Sequence, residues 1–212
     1  MTTTTPWPKL GDGVEPIHVP LREVYSFEDM WYLDTPQAEP IFKRQADIII
    51  NNQSKGIVDV GCRHGPVLKH LLESGYENFN YMGFDTSPEP IDLANLEHKD
   101  YPNIEFRVAS WDDTKLLDVD FDVDMVIWSG VLLYRPDDHF KLFDFLTRQF
   151  YASERAIIQE PMWEQRLWDE RLTLNRITDQ FDQYKDVYSE WRETIVDCEI
   201  FSGRRLIVDV KL

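Results

Sequence analysis

The chain has 212 residues, 42% of them hydrophobic and 13% aromatic, which predicts one compact domain with a sizeable core and at most an appendage. Its 22 Lys and Arg stand against 39 Asp and Glu, a formal charge of −17, and Arg166, Arg171, Arg176, Arg204 and Arg205 are interleaved with acids; a polyphosphate would be repelled at long range, which argues against nucleic acid as a partner. There is no apolar run of about eighteen residues and no basic-then-apolar leader in "MTTTTPWPKLGDG", and Cys62 and Cys198 are too far apart for a disulfide framework or a C-x-x-C metal site, so a cytoplasmic protein with free thiols, no metal and no membrane partner is expected.

In chain order, residues 1–20 are rich in Thr, Pro and Gly without periodicity and predict an extended or disordered arm. Phe27, Trp31 and Tyr32 follow, before the breaks at Pro36 and Pro40, and "EPIFKRQADIIINNQS" predicts the first sizeable helix, with Phe42, Ala46, Ile49 and Ile50 on its apolar side. Strand-like runs then come at Gly56–Val60, Asn80–Asp85, Ile104–Ala109, Val123–Trp128 and Arg155–Gln159, with helical patterns at Val67–Ser74, Pro88–His98 and Asp137–Phe150 between most of them. That alternation predicts an α/β fold with a mostly parallel, doubly wound sheet and helices on both faces. The ending breaks the rhythm. "TIVDCEIFSGRRLIVDVKL" reads as two strands joined at Ser202-Gly203, an antiparallel hairpin at one edge. The chain thus divides into an arm over 1–39 that can act as a lid and a domain over 40–212, within which the aromatic, charged stretch 161–192 reads as a partly helical insertion or substrate cover.

The stretch "IVDVGCRHGPV" from Ile57 to Val67 puts a glycine turn at the carboxyl end of a buried strand. With no Cβ, Gly61 and Gly65 let main chain approach a ligand, and a helix opening near Pro66 would point free N–H groups into the same crevice. An ordinary tight turn would look the same. The next strand ends at Asp85 in "YMGFDTSPEPIDLA", where a carboxylate can accept both ribose hydroxyls of an adenosine; Ser87 and Pro88 suit the start of the following helix. The plainer reading of Asp85 is a solvated loop acid. Together the two elements describe a site for an adenosine-containing ligand.

These residues resemble the class I S-adenosylmethionine-dependent methyltransferases, a Rossmann-like family. "VDVGCRHG" is similar to the family's first motif, "GFDTSPEPIDLA" to its second, "IEFRVASWDD" to its third, and "FDVDMVIWSGVLLYRPDD" to its fourth strand and loop. The resemblance spans roughly residues 40–160, and the final hairpin matches the family's inserted antiparallel last strand. It implies S-adenosyl-L-methionine as cofactor. Asp59 and Gly61, with Cys62, Arg63 and Gly65 in the same turn, would border its methionine part; Asp85 would hold the ribose and Thr86 would lie against the adenine. Ser110, Trp111 and Asp112 would line the adenine edge, with Trp128 and Ser129 beside the methionine amino group. The family's middle glycine is Arg63 here, whose side chain could crowd the cofactor or pair with its carboxylate.

A dinucleotide dehydrogenase fits poorly, because G-x-x-x-G replaces G-x-G-x-x-G and the chain is acidic where a pyrophosphate would want cations. Methyl transfer from a sulfonium needs positioning, a dry cavity and at times a base. His64, Tyr134, His139 and Glu160 fall near strand ends and are candidates, each with a plainer alternative: filling the turn, stacking, lying on a helix surface, or capping the helix after Pro161. "WSGVLLY" lacks the Asn/Asp-Pro-Pro-aromatic signature of enzymes that methylate nucleobase amino groups. Little of the chain lies outside the core fold, so the expected acceptor is a small molecule or sugar, methylated on oxygen or nitrogen. A protein methyltransferase and a non-catalytic binding protein of the same fold are the alternatives. Arg63→Gly is expected to change cofactor affinity by less than about tenfold, roughly 1.4 kcal/mol, if the side chain points away; a larger loss by calorimetry would mark a contact with the cofactor carboxylate.

Overall fold

The computed structural model describes residues 35–109, 119–131, 153–161, 188–197 and 204–211. Three helices, α1 (Glu39–Asn52), α2 (Pro66–Glu73) and α3 (Pro88–Glu97), accompany seven strands: β1 (Gly56–Val60), β2 (Asn80–Asp85), β3 (Ile104–Val108), β4 (Met125–Ser129), β5 (Arg155–Pro161), β6 (Glu190–Asp197) and β7 (Arg204–Lys211). Each helix carries a proline in its first turn, where the missing N–H has no partner to lose.

The strands form one sheet in the order β3-β2-β1-β4-β5-β7-β6. The first five are mutually parallel, and β7 runs antiparallel to both β5 and β6. This is the mostly parallel sheet with an antiparallel end that the alternation predicts, the last strand being inserted inside the edge. The hydrophobic runs read accordingly: all five residues of "GIVDV" in β1 are buried, as expected of a central strand covered on both faces.

Two apolar layers line the sheet. On one face Ile57, Tyr81, Phe106, Met125, Ile127 and Ile207 meet Ile41, Phe42 and Ile49 of α1, Leu68 and Leu71 of α2, and Ile91 and Ala94 of α3. On the other, Val58, Val60, Phe84, Val126, Trp128, Ile158 and Val208 pack together with Val119, Phe121, Val131, Tyr188 and Trp191. All three described helices therefore lie on the first face. The helix expected over Asp137–Phe150, the arm before residue 35 and the Ser202-Gly203 turn lie outside the described residues.

Of the boundaries that differ from the sequence reading, two have a cause visible in the structure. β4 begins at Met125 rather than Val123, because Asp124 is turned to the entrance of β1: its carboxylate accepts the N–H groups of Lys55 (2.7 Å) and Gly56 (3.3 Å), and its own N–H donates to the Gly56 carbonyl (2.9 Å). The last hairpin starts earlier than "TIVDC": residues 190–192, assigned above to an insertion, already belong to β6, where Arg192 and Glu193 point outward and hide the strand character from a hydrophobicity pattern.

Gly56 is enclosed by this arrangement, since a Cβ there would lie 1.8 Å from the Asp122 carbonyl oxygen. Gly56→Ala is expected to destabilise the domain by about 3 kcal/mol, the upper part of the range for overpacking, because the obstacle is main chain. Urea denaturation would read the loss.

Candidate functional site

The strand order places β1 beside β4, while the chain leaves β1 toward β2 and leaves β4 toward β5, so their ends diverge into a crevice. Gly61 stands at that point with φ of 80°, and a Cβ on it would come within 2.8 Å of the Ser129 carbonyl oxygen and 2.6 Å of a Val131 methyl. Its main chain is therefore bare by necessity. The N–H groups of Gly61 and Cys62 both donate to the Phe84 carbonyl at 2.8 and 3.0 Å, which straps the turn to the end of β2.

The turn is then tied to the second acid. Asp85 Oδ2 accepts the N–H of Arg63 at 3.0 Å, and Oδ1 accepts the N–H of Ser87 at 2.9 Å. The carboxylate is half-buried and held by a donor from each turn, and an ionised carboxylate has about four lone-pair sites, so two remain for hydroxyl donors. Thr86, also half-buried, adjoins it. Arg63 takes φ of 53°, the left-handed region where a glycine would cost nothing. An arginine thus keeps the glycine-type turn, and its side chain is buried at 4% exposure rather than spread over the surface. Gly65 has a different reason from the one the sequence suggests. A Cβ there would meet the Phe106 ring at 2.9 Å, and one on Gly83 would meet it at 2.6 Å, so both glycines make room for an aromatic ring under the turn.

Beneath Gly61 lies Asp59, 1% exposed. Tyr81 Oη donates to its Oδ2 at 2.6 Å, while Oδ1 meets no hydrogen-bond partner among the described residues. Burial pushes its pKa from the ordinary 3.8 up to about 7; the Tyr81 hydrogen bond opposes this and the Asp85 charge adds to it. Burial also raises the Cys62 thiol well above its usual value, which makes it a packing residue of the turn and a poor nucleophile.

Sequence reasoning missed Gln45. It occupies the apolar stripe of α1 between Phe42, Ala46 and Ile49 and is fully buried, and its Nε2 donates to Ser129 Oγ at 2.8 Å. A glutamine among apolar stripe positions was the available signal. Ser129 is at the β4 tip, half-buried. Trp128 is fully buried in the opposite layer with Val60 and Ile158, so its indole is core and only its main chain reaches the crevice end. His64 is half-buried in the first turn, and Glu160, 1% exposed, ends β5 on the Trp128 side. Ser110, Trp111, Asp112, Tyr134 and His139 lie outside the described residues.

The crevice thus has Asp85 at the end of β2 and Asp59 buried beneath the turn that follows β1. Residues 57–149 match the family model described as a methyltransferase domain. The methyltransferase domain of bacterial-CtHen1-C is similar at 16% identity, with TM-score 0.63, over 82% of this chain and 98% of that one. The magnesium protoporphyrin IX methyltransferase ChlM from Synechocystis PCC 6803, solved with bound SAM, gives 15% identity and TM-score 0.60 over 83% and 80%. A SAM-dependent methyltransferase from Aquifex aeolicus gives 14% and 0.59 over 88% and 98%. Residues 57–149 are thus similar to a methyltransferase domain, and the seven-stranded sheet of the described residues has the fold of these solved methyltransferases. No described helix is long and apolar enough to cross a membrane.

Asp59 gives this site a pH signature. The unfolded chain releases this proton near pH 4 and the folded protein holds it to about 7, so Asp59 favours folding at low pH and that contribution is lost as pH rises through 7. Asp59→Asn, isosteric and uncharged, is expected to match the wild type near pH 4 and to exceed its stability by on the order of a few kcal/mol above pH 7. Urea denaturation from pH 4 to 8 would show it; parallel curves would mean that Asp59 titrates like an exposed acid.

Proposed function

We propose that the protein transfers the methyl group of S-adenosylmethionine to a small-molecule or sugar-type acceptor, on oxygen or nitrogen. The observation that carries the reading is the Asp85 carboxylate, fixed by the Arg63 and Ser87 N–H groups at the end of β2 with lone pairs left over, beside the bare main chain of Gly61. Asp85 would accept the ribose hydroxyls, and Thr86 would adjoin the base. The amino-acid portion would pass the turn at Gly61, whose missing Cβ makes room for the end of β4, and the buried acid at 59 would favour a cation near it. When bound, the sulfonium supplies an activated methyl group and a neutral thioether leaving group.

The residues that would hold such a cofactor are in reach of one another, and their part would be to orient it. A methyl transfer then needs the acceptor in line. Two features of the sequence favour a small acceptor: a net charge of −17, which opposes polyanions, and the absence of a nucleobase-methylating signature after β4. Among the described residues, His64 in the first turn and Glu160, buried near the end of β5, would be the candidates to take a proton from it.

Calorimetry with S-adenosylmethionine and S-adenosylhomocysteine is expected to give saturable heat. Asp85→Ala should weaken both by at least about thirtyfold, since two hydrogen bonds to a charged group are lost. Release of S-adenosylhomocysteine would then be followed across hydroxyl and amine metabolites, sugars and peptides. Turnover on peptides alone would overturn the acceptor class, and binding without turnover on any would overturn the transfer reading.

A further inference from the structure

The fully buried side chain of Gln45 is only half satisfied: Nε2 donates to Ser129 Oγ, whereas Oε1 meets no donor among the described residues. Asp59 Oδ1 is in the same condition. The two share a region. Asp59 pairs in register with Ile127, and Ser129 lies two residues further along β4 on the same face, so the Asp59 and Ser129 main chains are about 8 Å apart on ordinary sheet spacings. Both orphaned acceptors therefore line the β1–β4 boundary on the side that α1 covers, directly below Gly61.

A buried acceptor without a donor bears its desolvation uncompensated. Two such atoms, one of them on an acid, call for a partner that is rich in donors, carries no acceptor and is positively charged. A hydroxyl has one donor and an amide two, and each brings an acceptor of its own; an ammonium has three donors, no acceptor and a positive charge. We infer that Gln45 is a ligand-binding residue, whose Oε1 accepts a hydrogen bond from the α-ammonium of the amino-acid end of the bound sulfonium nucleoside, with Asp59 Oδ1 as the second acceptor and Ser129 holding the amide in orientation. The inference rests on the proposed use of S-adenosylmethionine. It makes α1 part of the site as well as of the core, which the apolar periodicity of that helix conceals.

The test uses two variants, Gln45→Met and Gln45→Glu, and two nucleosides: S-adenosylhomocysteine, and 5′-methylthioadenosine, which lacks the amino-acid end. Gln45→Met is expected to weaken S-adenosylhomocysteine by about tenfold or more, to leave 5′-methylthioadenosine within about twofold, and not to lower the melting temperature of the ligand-free protein, because it removes an unsatisfied acceptor. Gln45→Glu keeps an acceptor and should hold S-adenosylhomocysteine within about threefold of wild type. Equal loss of both nucleosides with a lower melting temperature would show a structural role instead. Unchanged S-adenosylhomocysteine affinity in Gln45→Met would show no contact. Loss in Gln45→Glu as large as in Gln45→Met would show that the amide faces the ligand's carboxylate. If the wild type bound neither nucleoside, the proposed function would fail and this inference with it.

Discussion

The hold of two main-chain N–H groups on the Asp85 carboxylate is the constraint on which the rest of the site depends. One donor belongs to the turn after β1 and the other to the turn after β2, so a single side chain sets both turns relative to each other. Charge-assisted hydrogen bonds of this kind are the stronger ones, and they are made before any ligand arrives. In the proposed function Asp85 would thus need no reorganisation to meet a ribose. The bond also accounts for the left-handed main chain at Arg63: that conformation delivers the Arg63 N–H to Asp85, which offsets part of the cost of placing a non-glycine residue there.

Below this rigid clasp the chemistry is of the opposite kind. Asp59 and Gln45 are buried with one polar atom each left without a partner among the described residues, and burial holds Asp59 in the range where it is only partly ionised at neutral pH. Such groups oppose folding and persist where a ligand compensates them. The crevice therefore combines a preformed half around Asp85, which in the proposed function would meet a neutral sugar, with a frustrated half whose demand would be for positive charge. The apolar layers on both faces of the sheet supply the stability that this frustration consumes.

Much of the fold was legible because β1, β2, β4 and β5 are short apolar runs, and helices with prolines in their first turns lie between β1, β2 and β3, signals that local chemistry alone produces. The two acids were legible for the same reason, since each interrupts or ends a strand where burial of a charge needs an explanation. Three features were not. The start of β6 is masked by outward charges, as edge strands commonly are. Gly65 and Gly83 serve Phe106, a residue of another strand, and spacing along the chain carries no trace of that contact. Gln45 meets Ser129 across 84 positions, and only the stacking of α1 on the sheet brings them together.

The insertion of β7 between β5 and β6 has a consequence for how the molecule is assembled. Among the described residues β6 has no neighbour in the sheet except β7, which follows it in the chain, so β6 must wait for its successor before it can dock. Until then β5 presents an open row of peptide groups beside a finished parallel array. Such an intermediate is prone to recruit a strand from another molecule, and the hairpin acts in that sense as a closing seam whose timely arrival separates a solitary product from a tangled one.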